Sequence, residues 1–150
     1  MNFTIRQATA FDAEAASHLV IGLAHYFLAD PASAQAAPFM AGLSPSAHAE
    51  RLSSSQFKHY VAEDAAGLCG VVALRDGSHV YHLFVRVDAQ GRGIARALWL
   101  HAKQRSSHST FTVNASLHAV PVYERLGFVA VAGPQRLHGV AFVPMVYAHE

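Results

Sequence analysis

The 150-residue sequence contains a single cysteine, Cys69. One thiol excludes an intrachain disulfide and any multi-cysteine zinc or iron–sulfur site, and a reducing, cytoplasmic setting is the expectation. Charge is scarce too, at 14% of residues against about 25% in typical domains. Lys and Arg number 11 and Asp and Glu 10, a net charge of +1, so the basic excess of a nucleic-acid footprint is missing. Apolar runs are short. Leu19-Val20-Ile21-Gly22-Leu23-Ala24 falls far below the ~20 residues of a membrane span. No basic region followed by an apolar run opens the chain, so the start reads as mature sequence rather than a signal peptide. Internal repeats and long linkers are also lacking.

What is present is apolar. Hydrophobic residues make up 52%, which rules out disorder. A chain of this length buries about two-thirds of its unfolded surface and needs no metal or disulfide to hold a core. Residues 1–150 are therefore expected to form a single domain.

Thr4-Ile5-Arg6-Gln7-Ala8 reads as a short strand. Asp12 is a candidate cap for a helix whose buried stripe is Ala16, Leu19, Val20, Leu23 and Phe27. Asp30-Pro31 is expected to stop it. Residues 31–45, rich in Ala, Ser, Gly and Pro, read as a loop. Ser44-Pro45 starts a second helix through about Leu52. Three strands are expected over 57–63, 68–74 and 80–87, with Asp76-Gly77 as a hairpin turn. A helix over about 91–105 buries Ile94, Ala95, Leu98 and Ala102 and wets Arg92, Arg96 and Lys103. Phe111 to Asn114 is a strand, about 118–126 a helix ending at Gly127, and 128–132 and 140–147 are strands. This order predicts an α+β, or mixed α/β, domain around one sheet.

The stretch most informative about function joins the apolar strand Leu83-Phe84-Val85 to Gln90-Gly91-Arg92-Gly93-Ile94-Ala95. Glycines at a strand-to-helix turn let backbone N–H groups approach a ligand. The helix start adds unpaired donors and positive potential suited to phosphate, and Arg92 and Arg96 add formal charge. The dinucleotide fingerprint fails because Arg96 stands where a small residue is needed. The P-loop fails because Ile94-Ala95 follow the last glycine. Taken alone, Gly91 and Gly93 suit a tight turn as well as a ligand site.

Gln90, Gly93 and Ala95 match the Gln/Arg-x-x-Gly-x-Gly/Ala signature of acetyl-CoA binding, and the segment resembles that motif of the GNAT superfamily of N-acetyltransferases. Asn114-Ala115-Ser116 through Tyr123-Glu124-Arg125-Leu126-Gly127-Phe128 resembles the family's later motif. Gly139 through Phe142-Val143-Pro144-Met145 resembles its final strand. Val87 departs from the family, in which many members carry Pro after the strand.

The resemblance implies one central, mostly antiparallel sheet of about six to seven strands, flanked by about four helices and splayed between the fourth and fifth strands. It implies acetyl-CoA as co-substrate and direct transfer of its acetyl group to a small-molecule or peptide amine. Neither metal, nucleic acid nor membrane takes part, and dimers are common in the family. Tyr123 falls where the family's tyrosine faces the coenzyme sulfur; by its spacing alone it is a core aromatic beside Ala119, Val120 and Leu126. The main-chain N–H of Leu83 would meet the oxyanion, and Val85, beside Phe84, would pair with the pantetheine amides. Gln90, Gly91, Arg92, Gly93, Ile94, Ala95 and Arg96 would hold the pyrophosphate. Asn114 would bond the pantetheine arm, or end its strand as a turn residue.

The base is open. The family's frequent Glu at the start of the fourth strand is replaced here by His79, with Tyr81 two residues on. Neutral histidine accepts a proton near pH 7, and a water relay serves equally. A solvated histidine beside the turn is the plain alternative for His79. With no carboxylate in either place, a non-catalytic acyl-CoA-binding or regulatory module on the same fold is the rival reading. His79 and His82, three apart on a strand, are expected to point to opposite faces and not to share a metal ion. His18, His25, His101 and His108 are scattered. His25, Tyr26 and Phe39 lie in or beside the loop that in the family often borders the acceptor pocket. Cys69, within an apolar strand, reads as a small buried hydrophobe.

Overall fold

The computed structural model describes residues 2–28, 30–137 and 140–148; Gly139, expected at the head of the last strand, lies outside them. Strand β1 (Thr4–Gln7) leads to helix α1 (Ala13–Gly22). Asp12 stands at the helix start, but its carboxylate does not cap α1. It accepts hydrogen bonds from the Thr9 N–H at 2.7 Å and from two Arg6 nitrogens at 2.8 Å each, tying β1 to the helix. Ala16, Leu19, Val20 and Leu23 are buried as the spacing predicts. The helix ends at Gly22, well before Asp30-Pro31, because glycine is a poor helix residue. A 3-10 turn over Ala24–Tyr26 then leads the chain to Phe27.

The expected loop 31–45 contains a short helix, α2 (Ala37–Ala41), with Pro38 in its first turn. Helix α3 (Pro45–Leu52) follows, and the Ser44 hydroxyl accepts from the Ala47 N–H at 3.1 Å. Strands β2 (Phe57–Asp64), β3 (Gly67–Arg75) and β4 (His79–Val85) form an antiparallel meander. Asp76 and Gly77 both adopt positive φ, 55° and 74°, as a two-residue hairpin turn of the primed type demands. Helix α4 (Ile94–Arg105), strand β5 (Thr110–Ser116), helix α5 (Val120–Leu126) and strands β6 (Val129–Ala130), β7 (Gln135–Leu137) and β8 (Val140–Ala148) complete the chain.

The fold is mixed α/β, with one mostly antiparallel sheet in the order β1-β2-β3-β4-β5-β8-β6, and β7 pairs with β8. Among the described residues eight strands and five helices stand where about six to seven and about four were expected, β7 and α2 being the elements not placed from the sequence. Every residue of β7 is exposed, so no apolar alternation marks it in the sequence. Both faces of the sheet are covered. Val61 and Val71 pack with Leu19 and Val20 of α1 and with Leu23 just after it, whereas Val72 and Leu74 pack with Leu98 and Trp99 of α4. This double burial explains the continuous apolar run of β3. Helix α4 comes so close that a Cβ on Gly70 would sit 2.8 Å from the Leu98 side chain. Among the described residues no helix is long and apolar enough to cross a membrane.

Strand β4 is irregular in two places. Ala73 pairs with His82 but Leu74 with Val80, leaving Tyr81 as a bulge. Parallel pairing with β5 is limited to His79 with Thr112 and Val80 with Val113. Beyond that point β4 stays with β3 while β5 stays with β8, and the sheet splays.

Candidate active site

The splay opens two cavities that meet at its floor. The first, of about 530 Å³, lies between the end of β4, the start of α4 and helix α5. The second, of about 490 Å³, lies toward α2, the start of β4 and β8. Tyr123, Leu83, Phe84, Phe27, Ser116 and Ala119 line both.

Gly91 and Gly93 shape the first cavity. Both adopt left-handed backbone, φ 79° and 78°, which glycine alone takes at little cost. A Cβ on either would meet nothing within 4 Å, so the space before these turns is open to a ligand. Helix α4 begins at Ile94, three residues later than the apolar spacing suggests, and its first bond runs from the Ala97 N–H to the Gly93 carbonyl at 3.0 Å. The N–H groups ahead of Ala97 are left without intrahelical partners, and Gly93, Ile94, Ala95 and Arg96 line the cavity.

The side chains of the turn divide their work. The Gln90 amide donates to the Val85 carbonyl at 3.0 Å, bracing the turn against the strand. Arg92 reaches Asp64 at 3.0 Å, beside Arg86 at 2.7 Å on the same carboxylate oxygen. It is not among the residues lining the cavity, so its charge is spent on this surface cluster rather than aimed at the cradle. Arg96 does line the cavity, together with Arg125 of α5, which no local motif singles out. His118 lines it too and stacks on Tyr26, ring centroids 4.9 Å apart.

Main-chain groups alternate along a strand between its two neighbours. The Arg86 N–H donates to Cys69 of β3 at 2.8 Å. Two and four residues earlier, Phe84 and His82 therefore also face β3. Leu83 and Val85 turn their N–H groups the other way, into the splay, where β5 has departed. The Val85 carbonyl meeting Gln90 on that side agrees with this alternation.

Tyr123 is 6% exposed, and its ring packs edge-on against Phe128 at 5.4 Å. Burial pushes its phenol above the ordinary tyrosine range, so it holds its proton at neutral pH. In the second cavity, the His79 Nδ1 sits 2.8 Å from the Thr112 hydroxyl oxygen. Burial, and next the charge of Arg75, hold its imidazole below the ordinary histidine range, leaving it neutral at pH 7. Tyr81 lines the second cavity and packs edge-on against Phe57 at 5.1 Å. Asn114 lines the second cavity only, as does Phe39, while Tyr26 lines only the first. The His25 ring lies tilted against Tyr26, centroids 4.1 Å apart.

The bulge at Tyr81 corrects one expectation. Strict alternation sets His79 and His82 on opposite faces, but the extra residue breaks the alternation and both line the second cavity. Among the described residues no group of three or more His, Cys, Asp or Glu side chains converges as a metal site. Cys69 is fully buried and free, its thiol pushed up first by burial.

Such a site suits an elongated anionic ligand in the first cavity, a second reactant in the other, and proton movement where they meet. Residues 27–149 match the family model of the acetyltransferase (GNAT) domain. Three solved structures share the fold. A GCN5-related N-acetyltransferase from Rhodopseudomonas palustris is 22% identical with a TM-score of 0.77, covering 99% of this chain and 96% of its own. The PaiA N-acetyltransferase from Thermoplasma acidophilum, in complex with coenzyme A, is 15% identical with a TM-score of 0.79, covering 99% and 100%. A variant spermidine N-acetyltransferase from Vibrio cholerae is 17% identical with a TM-score of 0.66, covering 97% and 93%. No curated protein matches the sequence.

Proposed function

The chain belongs to the GNAT acetyltransferase family, whose acyl donor is acetyl-CoA, and from that premise we propose that it transfers the acetyl group to a primary amine by direct attack. The observation that carries this reading is the pair of cavities joined at Tyr123 across the splay. A donor and an acceptor then meet without a covalent enzyme intermediate, in keeping with the burial of Cys69.

The residues present fit the coenzyme. The open, left-handed turns at Gly91 and Gly93 and the free N–H groups of Ile94 to Arg96 suit its pyrophosphate. Arg96 and Arg125 supply charge for its phosphates from opposite walls. The Val85 N–H pairs with a pantetheine amide, and Asn114, on β5, stands on the far side of the splay. Acetyl-CoA supplies the thioester carbonyl as electrophile. The Leu83 N–H donates to the carbonyl oxygen as charge gathers there. The amine proton passes through water along the second cavity to His79, which is neutral and oriented by Thr112. Tyr123 gives its phenolic proton to the departing sulfur.

Amine acceptors are consistent with the spermidine enzyme among the structural neighbours. The test is a thiol-release assay with a panel of amines, alongside calorimetry with acetyl-CoA and desulfo-CoA. Binding of both coenzymes together with amine-dependent thiol release is expected. Binding without release from any amine would instead support a non-catalytic acyl-CoA module.

A further inference from the structure

The second cavity carries information about the acceptor, resting on the acetyl-transfer reading above. Its walls are apolar on the side of Phe27, Phe39, Leu43, Phe84, Val140 and Phe142. Among the described lining residues the one formal charge is Arg75, and no carboxylate is present. Behind that wall stands a second guanidinium. Arg51 lies 5.1 Å and Arg75 6.0 Å from the ring centroid of Tyr81. Arg51 donates to the Gly42 carbonyl at 2.7 Å, whereas Arg75 makes no ion pair among the described residues. The nearby histidines His48, His59 and His82 are buried, and desolvation holds each imidazole below its ordinary range, so they stay neutral at pH 7 and leave the field to the guanidinium groups. Asp76 is the acidic group close enough to act on His79, and it lies outside the lining.

This field disfavours a polyamine. A second or third ammonium in the cavity would face guanidinium rather than carboxylate, with a low-dielectric wall behind it. The same field attracts an anion, and a free guanidinium offers it a planar, two-pronged donor. The reacting amine must lie where the cavities meet, at Leu83 and Tyr123. Arg75 pairs with His79, four residues from Leu83, or about 13 Å at about 3.3 Å per strand residue, shortened by the bulge. An acceptor reaching both ends holds its amine and its anionic group at opposite ends of an apolar body. We propose that the acceptor is a monoamine whose apolar body ends in an anionic group held by Arg75.

A matched series tests this by thiol release: 4-(2-aminoethyl)benzoate, 2-phenylethylamine, which lacks the carboxylate, and spermidine. The wild-type enzyme is expected to favour the benzoate over phenylethylamine by at least tenfold in kcat/KM, mainly through KM, and to use spermidine least. In Arg75→Gln that ratio should fall to within a few-fold of one. Arg75→Lys should retain part of it, and Arg75→Glu should invert it. A wild-type preference for phenylethylamine or spermidine overturns the proposal and leaves acetyl transfer standing. So does a ratio unmoved by Arg75→Gln and Arg75→Glu. Turnover of no amine overturns both.

Discussion

Tyr123 on α5 lines the junction of the two cavities and His79 on β4 lines the second cavity alone, and burial shifts their proton affinities in opposite directions. Burial raises the phenol and lowers the imidazole, so at neutral pH Tyr123 carries a proton for the leaving sulfur and His79 a lone pair for the proton of the amine. Tyr123→Phe keeps the ring that packs on Phe128 and removes one oxygen. Turnover at saturating substrate should fall about a hundredfold, the scale of one acid–base group. The melting temperature and acetyl-CoA affinity should hold, because the hydroxyl acts as charge builds on sulfur. Unchanged turnover would make Tyr123 a packing residue. His79 should appear in the pH profile of kcat/KM as an ionisation on the acid side of ordinary histidine. Activity should fall as pH drops through it, since the protonated ring accepts nothing. If His79→Gln shows the same acid limb as the wild type, the base is a water chain or another group.

The turn from β4 into α4 is an element whose chemistry is in its backbone. Gly93 ends the turn at φ 78° and supplies the first carbonyl of the helix. Valine there would strain the left-handed conformation and project its methyl groups into the open space before the N–H groups. Gly93→Val should weaken acetyl-CoA by more than tenfold in calorimetry, with the far-ultraviolet circular dichroism of a folded domain. Arg96→Ala should cost less, because an exposed charge contributes little in water. Normal binding by folded Gly93→Val would move the phosphate site elsewhere. At this scale the sequence was legible. A Gly-x-Gly after an apolar strand and before an amphipathic stripe marks a tight strand-to-helix turn, and the family resemblance is what adds a ligand to it. The helix start was misplaced by three residues because Gly91, Arg92 and Gly93 lie in the turn, which the apolar spacing does not register.

Across the whole molecule, the buried histidines set the acid limit. His59 is held at about 4, chiefly by burial and then by Arg51. His48 and His82 shift the same way. The unfolded chain protonates these rings near their ordinary value of about 6.5, while the folded one resists. Between those limits the unfolded state therefore binds more protons, and stability falls as pH drops from about 6.5 toward 4. For His59 alone the loss is on the order of 3 kcal/mol. The carboxylates paired with arginine act in a lower window, since Asp64 is held at about 2 by Arg86. Urea midpoints should decline steadily from pH 6.5 to pH 4, and His59→Phe should flatten that slope. A flat wild-type profile across this range would show that the rings protonate within the fold.

The strand and helix order, the glycine turn from β4 into α4 and the position of Tyr123 on a short helix before Gly127 were all written in the amino-acid order, because each of these is local. Periodicity, turn chemistry and a motif a few residues long carry them. Folding in three dimensions settled the rest. The splay arises where β4 leaves one edge of β5 after Val113 while β8 stays paired along the other edge, an arrangement of segments some thirty residues apart. The bulge at Tyr81 reversed an alternation that holds for an unbroken strand. Arg92, formally beside the cradle, was drawn away by Asp64. Arg125 and Arg75, remote from the cradle motif, were brought to the two cavities. A charge's neighbours in space, and so its role, are set by the pairing of distant strands, which no local pattern encodes.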